Sequence, residues 1–278
     1  RSGTSSRQNR MANLATESGL LMPRRVKRDQ RAEMHSESES EFDGLDDDRK
    51  RLAIERLAAQ TEAARRDPKH FFSFVMKEER TQKPLICQPH QRVLFDFIMA
   101  HRLCVVRMPV GTSKTISSAT IALYLLGKDP TERGAIVSET QQQAIKPVTM
   151  VRDYIESSAE LRMVFPRLKR SNRIADAWTQ TQLTVDRPPG IRDASLVAAG
   201  IDGAIAGSRL SWIVIDDILS RVNTSTPAGR TKVHEFVDST VLSRLDPETG
   251  RCIVTNTPWS PDDLTYRLEA AGWPTLTM

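Results

Sequence analysis

Short, mostly apolar runs alternate with longer amphipathic segments along most of this chain. This alternation restricts the fold more than any other feature of the sequence. Runs of five or six residues that predict β-strands lie at residues 103–108, 134–138, 182–186, 195–200, 211–216 and 251–256. Segments typical of helices lie at residues 113–127, 140–157, 230–245 and 261–272. Several strand segments are apolar throughout, as in parallel strands that are covered on both faces. The sequence therefore predicts an α/β fold with a mostly parallel sheet flanked by helices.

The segment before this pattern has a different composition. Residues 1–49 are rich in Ser, Arg and Glu and include the run SESESEFDGLDDD. Such a segment buries too little apolar surface to offset its ordering entropy, so a disordered tail is predicted, with a docking arm for a partner as the alternative. Apolar residues then recur at helical spacing, which predicts a helical linker or lid at 50–83 before a compact domain at 84–278.

The composition excludes few function classes. The net charge of +5 and the pI near 9.3 are compatible with a polyanionic partner, although many proteins without one have a similar balance. The cysteines Cys87, Cys104 and Cys252 form no C-x-x-C pair, which indicates reduced thiols in a cytosolic protein. No apolar stretch approaches the roughly 18 residues of a membrane-spanning helix, so no membrane partner is predicted.

The loop after the first strand resembles a phosphate-binding loop but departs from its usual pattern. The run RMPVGTSKT spans residues 107–115, and the usual pattern is G-x-x-x-x-G-K-[ST]. Lys114 and Thr115 are present, whereas Ser113 replaces the second glycine and Gly111 lies two residues earlier. The phosphate donors of such a loop are backbone N–H groups, so serine is compatible with binding. The alternative for this run on its own is an ordinary strand-to-helix turn.

Paired carboxylates follow the fifth strand segment. Asp216 and Asp217 end the run SWIVIDD, and ligands of α/β sheets lie at the carboxyl ends of the strands. A helix-capping turn is the alternative for this pair by itself. Together with the loop, the pair predicts a nucleoside triphosphate site. Asp216 would bind Mg²⁺ beside Thr115, and Asp217 would orient and deprotonate the attacking water.

A third group of polar residues ends the last strand segment. Thr255, Asn256 and Thr257 are expected at the same edge of the sheet, where a polar side chain could sense the terminal phosphate. The alternative is a strand-to-helix turn in which Ser260 caps a helix beginning at Pro261.

These three motifs, in this order and spacing, resemble the ATPase domain of tailed-bacteriophage terminase large subunits. The motifs are VGTSKT, GIDGAIAGSRLSWIVIDDI and IVTNTPWSPDDLTYRL. The resemblance covers roughly residues 84–272. It implies a P-loop NTPase of the RecA-like (ASCE) type that hydrolyses ATP with Mg²⁺ and drives viral DNA packaging. The run PHQRVLFDF resembles the segment that contacts adenine, which makes Gln91 the first candidate and Gln88 the second.

The resemblance also implies site residues and partners. Phosphate contacts are expected from Val110, Gly111, Thr112, Ser113, Lys114 and Thr115, with Asn256 as the sensor. Lys114 and Asp217 would act in catalysis with an arginine from a neighbouring subunit, for which Arg209 precedes Arg230 and Arg244 as candidate. The implied partners are double-stranded DNA, a small terminase subunit, the portal or procapsid, and further copies in a homo-oligomeric ring, a pentamer on the portal. The host cytoplasm is the implied location.

The sequence departs from the family pattern at several points. Val110 stands where the family often has arginine, with Arg107 nearby, and Asp217 stands where many members have glutamate. The nuclease domain of the family is expected after the ATPase domain, and the sequence ends at Met278, so no nuclease activity is predicted for this chain. Another RecA-like, helicase-type DNA-dependent ATPase and an inactive nucleotide-binding scaffold are the alternative functions.

Overall fold

A computed structural model describes residues 47–201, 203, 205 and 209–278 of the chain. Most of the segment predicted to be a disordered tail lies outside these residues. A boundary between two units of the chain falls between Arg56 and Leu57, and the sheet belongs to the second unit. The predicted domain bounds stay a prediction.

The helices are α1 (Asp47–Arg66), α2 (Pro68–Val75), α3 (Pro89–Ala100), α4 (Lys114–Lys128), α5 (Gln141–Ser157), α6 (Ala159–Val164), α7 (Arg221–Thr224), α8 (Pro227–Phe236) and α9 (Leu264–Ala270). The strands are β1 (Leu103–Arg107), β2 (Gly134–Ser138), β3 (Gln182–Leu183), β4 (Leu196–Gly200), β5 (Trp212–Asp216), β6 (Arg251–Asn256) and β7 (Thr275–Thr277).

The strands form one seven-stranded sheet in the order β3-β4-β2-β5-β6-β1-β7. All neighbouring pairs are parallel except β3 with β4. The predicted α/β fold with a mostly parallel sheet flanked by helices is confirmed. Because β6 lies between β1 and β5, the loops that follow these three strands leave the sheet side by side at its carboxyl edge.

Both faces of the sheet are buried. Trp212 and Val214 of β5 belong to one hydrophobic cluster, and Ile213 and Ile215 belong to the other. Successive residues of a strand point to opposite faces, so a strand buried on both sides must be apolar throughout. No helix within the described ranges is long and apolar enough to cross a membrane.

The helical segment before β1 contributes to the same core. Phe71 and Phe72 of α2 are fully buried and join the cluster that contains Leu94 and Phe95 of α3. Asp67 begins α2 as its N-cap, since its carboxylate accepts the Lys69 N–H at 2.8 Å.

The structure differs from the predicted elements in four details. The strand predicted at 182–186 shortens to β3, which runs antiparallel to β4. The helix predicted at 230–245 starts earlier, at Pro227, and continues through a π-helical turn (Val237–Val241) and a 3₁₀ turn (Leu242–Arg244). The short edge strand β7 was not predicted.

The fourth difference concerns the last helix, which begins at Leu264 rather than at Pro261. Asp263 is its N-cap, with a carboxylate oxygen 2.9 Å from the Thr265 N–H. The other oxygen of Asp263 accepts the Trp259 N–H at 2.9 Å. The alternative in which Ser260 caps a helix beginning at Pro261 is wrong, because Asp263 satisfies donors on both sides of the turn.

Candidate functional site

The loop between β1 and α4 has the backbone shape of a tight strand-to-helix turn. Gly111 has a φ of +85°, and Ser113 lies in the left-handed region with φ 59° and ψ 34°. A non-glycine residue in that region costs about 1–2 kcal/mol, so the surrounding structure enforces the turn. The side chain of Ser113 makes no capping bond to the first turn of α4. The backbone donors at this helix N-terminus are therefore suited to bind an anion.

Lys114 brings the three motifs together. Its ammonium donates to Oγ1 of Thr257 at 2.6 Å and lies 3.1 Å from Oδ1 of Asp217. It also lies 3.5 Å from the carbonyl oxygens of Met108 and Pro109 within the loop. Lys114 is only 7% exposed, and a buried ammonium needs a nearby anion to offset its lost hydration. Asp217 supplies that negative charge.

Asp216 is enclosed at the end of β5. It is 4% exposed, and the Thr255 hydroxyl donates to its Oδ1 at 3.2 Å. Burial raises the pKa of Asp216 to about 6, and the neighbouring carboxylate of Asp217 adds to this effect. The hydrogen bond from Thr255, the nearby hydroxyl of Ser118 and the charge of Lys114 act in the opposite direction. A cation placed beside this carboxylate would favour its ionised form.

Asp217 differs from Asp216 in both backbone and exposure. It adopts a left-handed φ of 48°, a region that Asp tolerates better than most residues. Its N–H donates to the carbonyl oxygen of Thr255 at 2.9 Å, which ties the end of β5 to β6. Its side chain is 45% exposed. The adjacent carboxylates thus offer one fixed, buried oxygen ligand and one that is accessible to solvent.

The third motif contributes through Thr257 as well as Asn256. Asn256 is fully buried, and its Oδ1 accepts the Leu219 N–H at 3.0 Å, which anchors the loop after the paired carboxylates. Its Nδ2 has no hydrogen-bond partner among the described residues. Thr257 contacts Lys114 directly and donates to the carbonyl oxygen of Met108 at 3.1 Å. The sequence placed Thr257 at the correct edge but did not assign it this contact.

Glu139 is a site residue that sequence reasoning missed. It directly follows β2, and its N–H lies 3.4 Å from the carbonyl oxygen of Asp217. Its Oε1 accepts from the Ser220 hydroxyl and from Nδ2 of Asn223 at 3.4 Å. Glu139 therefore holds the loop between β5 and α7 in place. A carboxylate immediately after the second predicted strand was the available signal.

The remaining loop residues lie where the sequence placed them. Thr112 donates its hydroxyl to the carbonyl oxygen of Pro109 at 2.8 Å. Val110 is 77% exposed at the tip of the loop, and Thr115 is half-buried in the first turn of α4. Their predicted contacts with phosphate and Mg²⁺ stay predictions.

Gln91 is buried in the first turn of α3. Its Oε1 accepts the Gln88 N–H at 3.0 Å, so Gln91 helps to cap this helix. The predicted contact of either glutamine with adenine stays a prediction.

The candidate arginines occupy different edges of the sheet. Arg209 is exposed shortly before β5, and therefore at the amino edge, away from Lys114 of the same chain. Arg230 donates to the carbonyl oxygen of Thr224 at 2.7 Å and lies 3.8 Å from Asp262. Arg244 lies in the 3₁₀ turn that follows α8.

Arg107 does not replace the missing loop arginine. Its buried guanidinium donates to the hydroxyl and the carbonyl of Thr265 at 3.2 Å and to Glu269 at 2.6 Å. It also stacks over the ring of Tyr266 at 3.8 Å. Arg107 therefore connects the end of β1 to α9.

The oxygen ligands at this edge fit a Mg²⁺ ion bound together with a nucleotide. No group of three or more His, Cys, Asp or Glu side chains within the described ranges could hold a metal by itself. Mg²⁺ usually binds through one or two carboxylates plus substrate phosphates and water. The carboxylate of Asp216 with the hydroxyl of Thr115 matches that requirement.

All three cysteines are buried and free. Burial raises the pKa of the Cys104 thiol to about 12, which keeps it protonated and unreactive at neutral pH. The prediction of free thiols is confirmed.

Solved structures of bacteriophage DNA-packaging proteins are similar to this chain. The crystal structure of the HK97 bacteriophage large terminase aligns with 77% of this chain and 43% of its own length, with a TM-score of 0.53 and 10% identity. An ATPase-domain mutant of the Thermus phage P74-26 large terminase aligns over 63% of this chain and 74% of its own, with a TM-score of 0.43 and 18% identity. The N-terminal domain of the DNA packaging ATPase from bacteriophage phi29 gives 0.39 and 13%, over 63% of this chain and 84% of its own.

No family model matches the chain, and no curated protein matches it. The chain spans less than half of the HK97 protein, and at 10% identity the likeness concerns architecture. This chain shares its fold with the part of the HK97 bacteriophage large terminase that aligns with it.

Proposed function

We propose that this chain is the ATPase motor domain of a viral terminase large subunit, which hydrolyses ATP to move double-stranded DNA into a procapsid. One observation carries the proposal. Lys114, at the start of α4, contacts Asp217 after β5 and Thr257 after β6 at a single edge of the sheet. The fold shared with the HK97 large terminase supports it.

Each residue has its own role in the proposed binding and hydrolysis of ATP. Backbone N–H groups from Val110 to Thr115 bind the phosphates, and Lys114 exchanges Asp217 for the β- and γ-phosphate oxygens. Asp216 and Thr115 hold Mg²⁺, which supplies positive charge at the phosphates when bound. Asn256 senses the terminal phosphate, and Gln91 contacts the adenine. Arg209 of a neighbouring subunit completes the site.

Asp217 is the base in this scheme. Once Lys114 has a phosphate partner, the carboxylate of Asp217 is free to accept a proton from the attacking water. A general base must lie within hydrogen-bond reach of that water, and the exposure of Asp217 allows this. Glu139 acts through this group as a positioning residue, because it fixes the backbone of the same loop.

The partners follow from the same proposal. Double-stranded DNA is the substrate that moves, and the portal or procapsid receives it. A small terminase subunit and further copies of this chain complete the motor, as a homo-oligomeric ring with five members on the portal. The protein works in the host cytoplasm.

Steady-state ATP hydrolysis, with and without long duplex DNA, tests the proposal. We expect Lys114→Ala to reduce turnover by about 100-fold or more, since it removes positive charge from the reacting phosphates. The control is Lys146→Ala, which changes an exposed lysine on α5 and should leave turnover unchanged. Duplex DNA should stimulate the wild type. Turnover by Lys114→Ala at the wild-type rate would contradict the proposed site.

A further inference from the structure

A second site of positive charge lies away from the nucleotide edge. A cavity of about 290 Å³ is lined by Arg167, Lys169 and Arg187, with Asp186 as the acidic residue in its lining. Residues 130–131, which also line it, lie shortly before β2, so the cavity lies towards the amino edge of the sheet. Lys114 and Asp216 lie at the carboxyl edge. The cavity is therefore separate from the proposed ATP site.

A second cavity of about 280 Å³ continues from the first. Pro166 and Arg167 line both, and Lys128 at the end of α4 lines the second. Arg65 also lines the second cavity, but Glu62 lies 2.7 Å from its guanidinium. We call Lys128, Arg167, Lys169 and Arg187 the basic strip.

The basic strip is mostly unneutralised. Among the described residues, Lys128 and Arg167 have no ion-pair partner. Lys169 lies 3.2 Å from Asp186, and this pair is largely exposed to solvent. The sequence from Arg162 to Arg173 contains five Lys or Arg residues and no Asp or Glu. The four positive charges thus have one carboxylate, Asp186, in the lining of the first cavity, while Asp176 and Asp193 act on Arg187 from outside that lining. The surface therefore remains net positive.

Arg187 gives the strip a buried, incompletely satisfied donor. It is 8% exposed, and its Nη1 has no hydrogen-bond partner among the described residues. Its Nη2 donates to the carbonyl oxygen of Asp193, and its own carbonyl accepts from Arg173 at 2.6 Å. Burial lowers its pKa most strongly, and the nearby charges of Arg133 and Arg173 add to this effect, while Asp176 and Asp193 oppose it. A buried guanidinium with a free donor is stabilised when an anion approaches.

We propose that the basic strip binds the phosphodiester backbone of duplex DNA. Each cavity is smaller than the roughly 300–1,000 Å³ of sites that enclose a drug-sized ligand, so a phosphate group fits better than a whole nucleotide. Guanidinium groups match phosphate geometry, and successive cations suit a polymer with regularly spaced phosphates. Such contacts position a duplex without reading its sequence. The inference rests on the proposed function, since duplex DNA is the polyanion that this function handles.

Duplex binding by the full chain, measured by fluorescence anisotropy at several salt concentrations, tests the inference. The test variant is Arg167→Gln/Lys169→Gln. The matched control is Arg80→Gln/Lys83→Gln, which removes two exposed cations elsewhere. All four side chains are exposed, so both variants should fold, and thermal unfolding verifies this. We expect the test variant to bind on the order of tenfold more weakly and the salt slope to fall by about 2, with the control within about twofold of wild type.

The other outcomes overturn the inference. They are an absence of duplex binding by the wild type, equal losses in the two variants, or release of the duplex by inorganic phosphate at constant ionic strength. ATP turnover measured on the same proteins separates this inference from the proposed function. If the test variant alone loses DNA binding but the wild type does not hydrolyse ATP, the proposed motor function is refuted and the DNA site at the basic strip is retained. If the wild type hydrolyses ATP and the test variant binds DNA as the wild type does, the DNA site is refuted and the proposed function is retained.

Discussion

The ammonium of Lys114 lies 3.1 Å from the carboxylate of Asp217. The lysine is buried, so its ammonium needs a nearby anion in place of water. The aspartate is 45% exposed, so its carboxylate remains hydrated without the lysine. An entering phosphate can replace Asp217 beside the lysine. In the proposed mechanism, the released carboxylate would then be available to the attacking water. Nucleotide binding and activation of the proposed base would be coupled through this one contact.

Asp217→Asn should separate binding from turnover. The substitution leaves Lys114 buried without its anion, so we expect ATP to bind about threefold more tightly, as for loss of an ion pair worth about 0.6 kcal/mol. Turnover should fall by about 100-fold because the base is lost. Equilibrium titration with a fluorescent ATP analogue and steady-state kinetics measure the two effects. Asp262→Asn, at an exposed carboxylate after β6, is the control. Weaker ATP binding by Asp217→Asn would show instead that this carboxylate holds the site together.

Thr257→Val should misplace the same lysine. Valine keeps the shape but removes the acceptor that lies 2.6 Å from the Lys114 ammonium and the donor to Met108. We expect a loss of about 1–2 kcal/mol in the free energy of unfolding. A decrease of about tenfold in kcat/KM for ATP should accompany it. Thr257→Ser retains the hydroxyl and should restore both quantities. If Ser and Val behave alike, the hydroxyl does not position the lysine.

Ser113→Gly should stabilise the protein. Ser113 has a φ of 59°, and glycine adopts this conformation without the steric cost of a Cβ atom. We expect the free energy of unfolding to rise by about 1 kcal/mol and the thermal midpoint by about 2–4 °C. The control, Ser225→Gly, changes an exposed serine with a φ of −66° and should lower stability. An equal loss in both variants would mean that the loop is not strained at Ser113.

Glu132→Gln should change how stability depends on pH. Burial raises the pKa of Glu132 to about 7, with a contribution from Asp129 and an opposing one from Arg251. The unfolded-state pKa is near the ordinary value for Glu, roughly 4.3. The contribution of the protonated Glu132 carboxyl group to stability is therefore fully present below the unfolded-state pKa. This contribution is lost as the pH rises through about 7. We expect Glu132→Gln to gain stability relative to wild type between pH 4.5 and pH 8 in urea unfolding.

The exposed Glu79→Gln is the control for that experiment, since it makes the same chemical change without burial. A constant difference between wild type and Glu132→Gln across this pH range would contradict the effect of burial.

Much of the fold was predictable because its determinants are local in the sequence. A strand covered on both faces must be apolar at successive positions, and β1, β2, β5 and β6 all show this pattern. Lys114, Asp216 and Asp217 could be placed at one edge, since the carboxyl ends of parallel strands coincide there. The three-residue strand β7 and the cap at Asp263 could not be predicted. β7 forms through its pairing with β1. Asp263 replaces Ser260 as the N-cap of the last helix only once the turn has formed, because only then do the Trp259 and Thr265 N–H groups both lie near its carboxylate.

The sequence by itself determined the central strands β1, β2, β5 and β6 and which side chains reach the carboxyl edge of the sheet. Only the tertiary structure decided their partners. It placed Thr257 rather than Asn256 against Lys114, directed Arg107 to α9, and set Glu139 beneath the loop of Asp217. It also gathered Lys128, Arg167, Lys169 and Arg187, which come from three separate parts of the chain, around adjoining cavities. The reason is physical: strand order and helix packing join residues far apart in sequence, and no local periodicity encodes those distances.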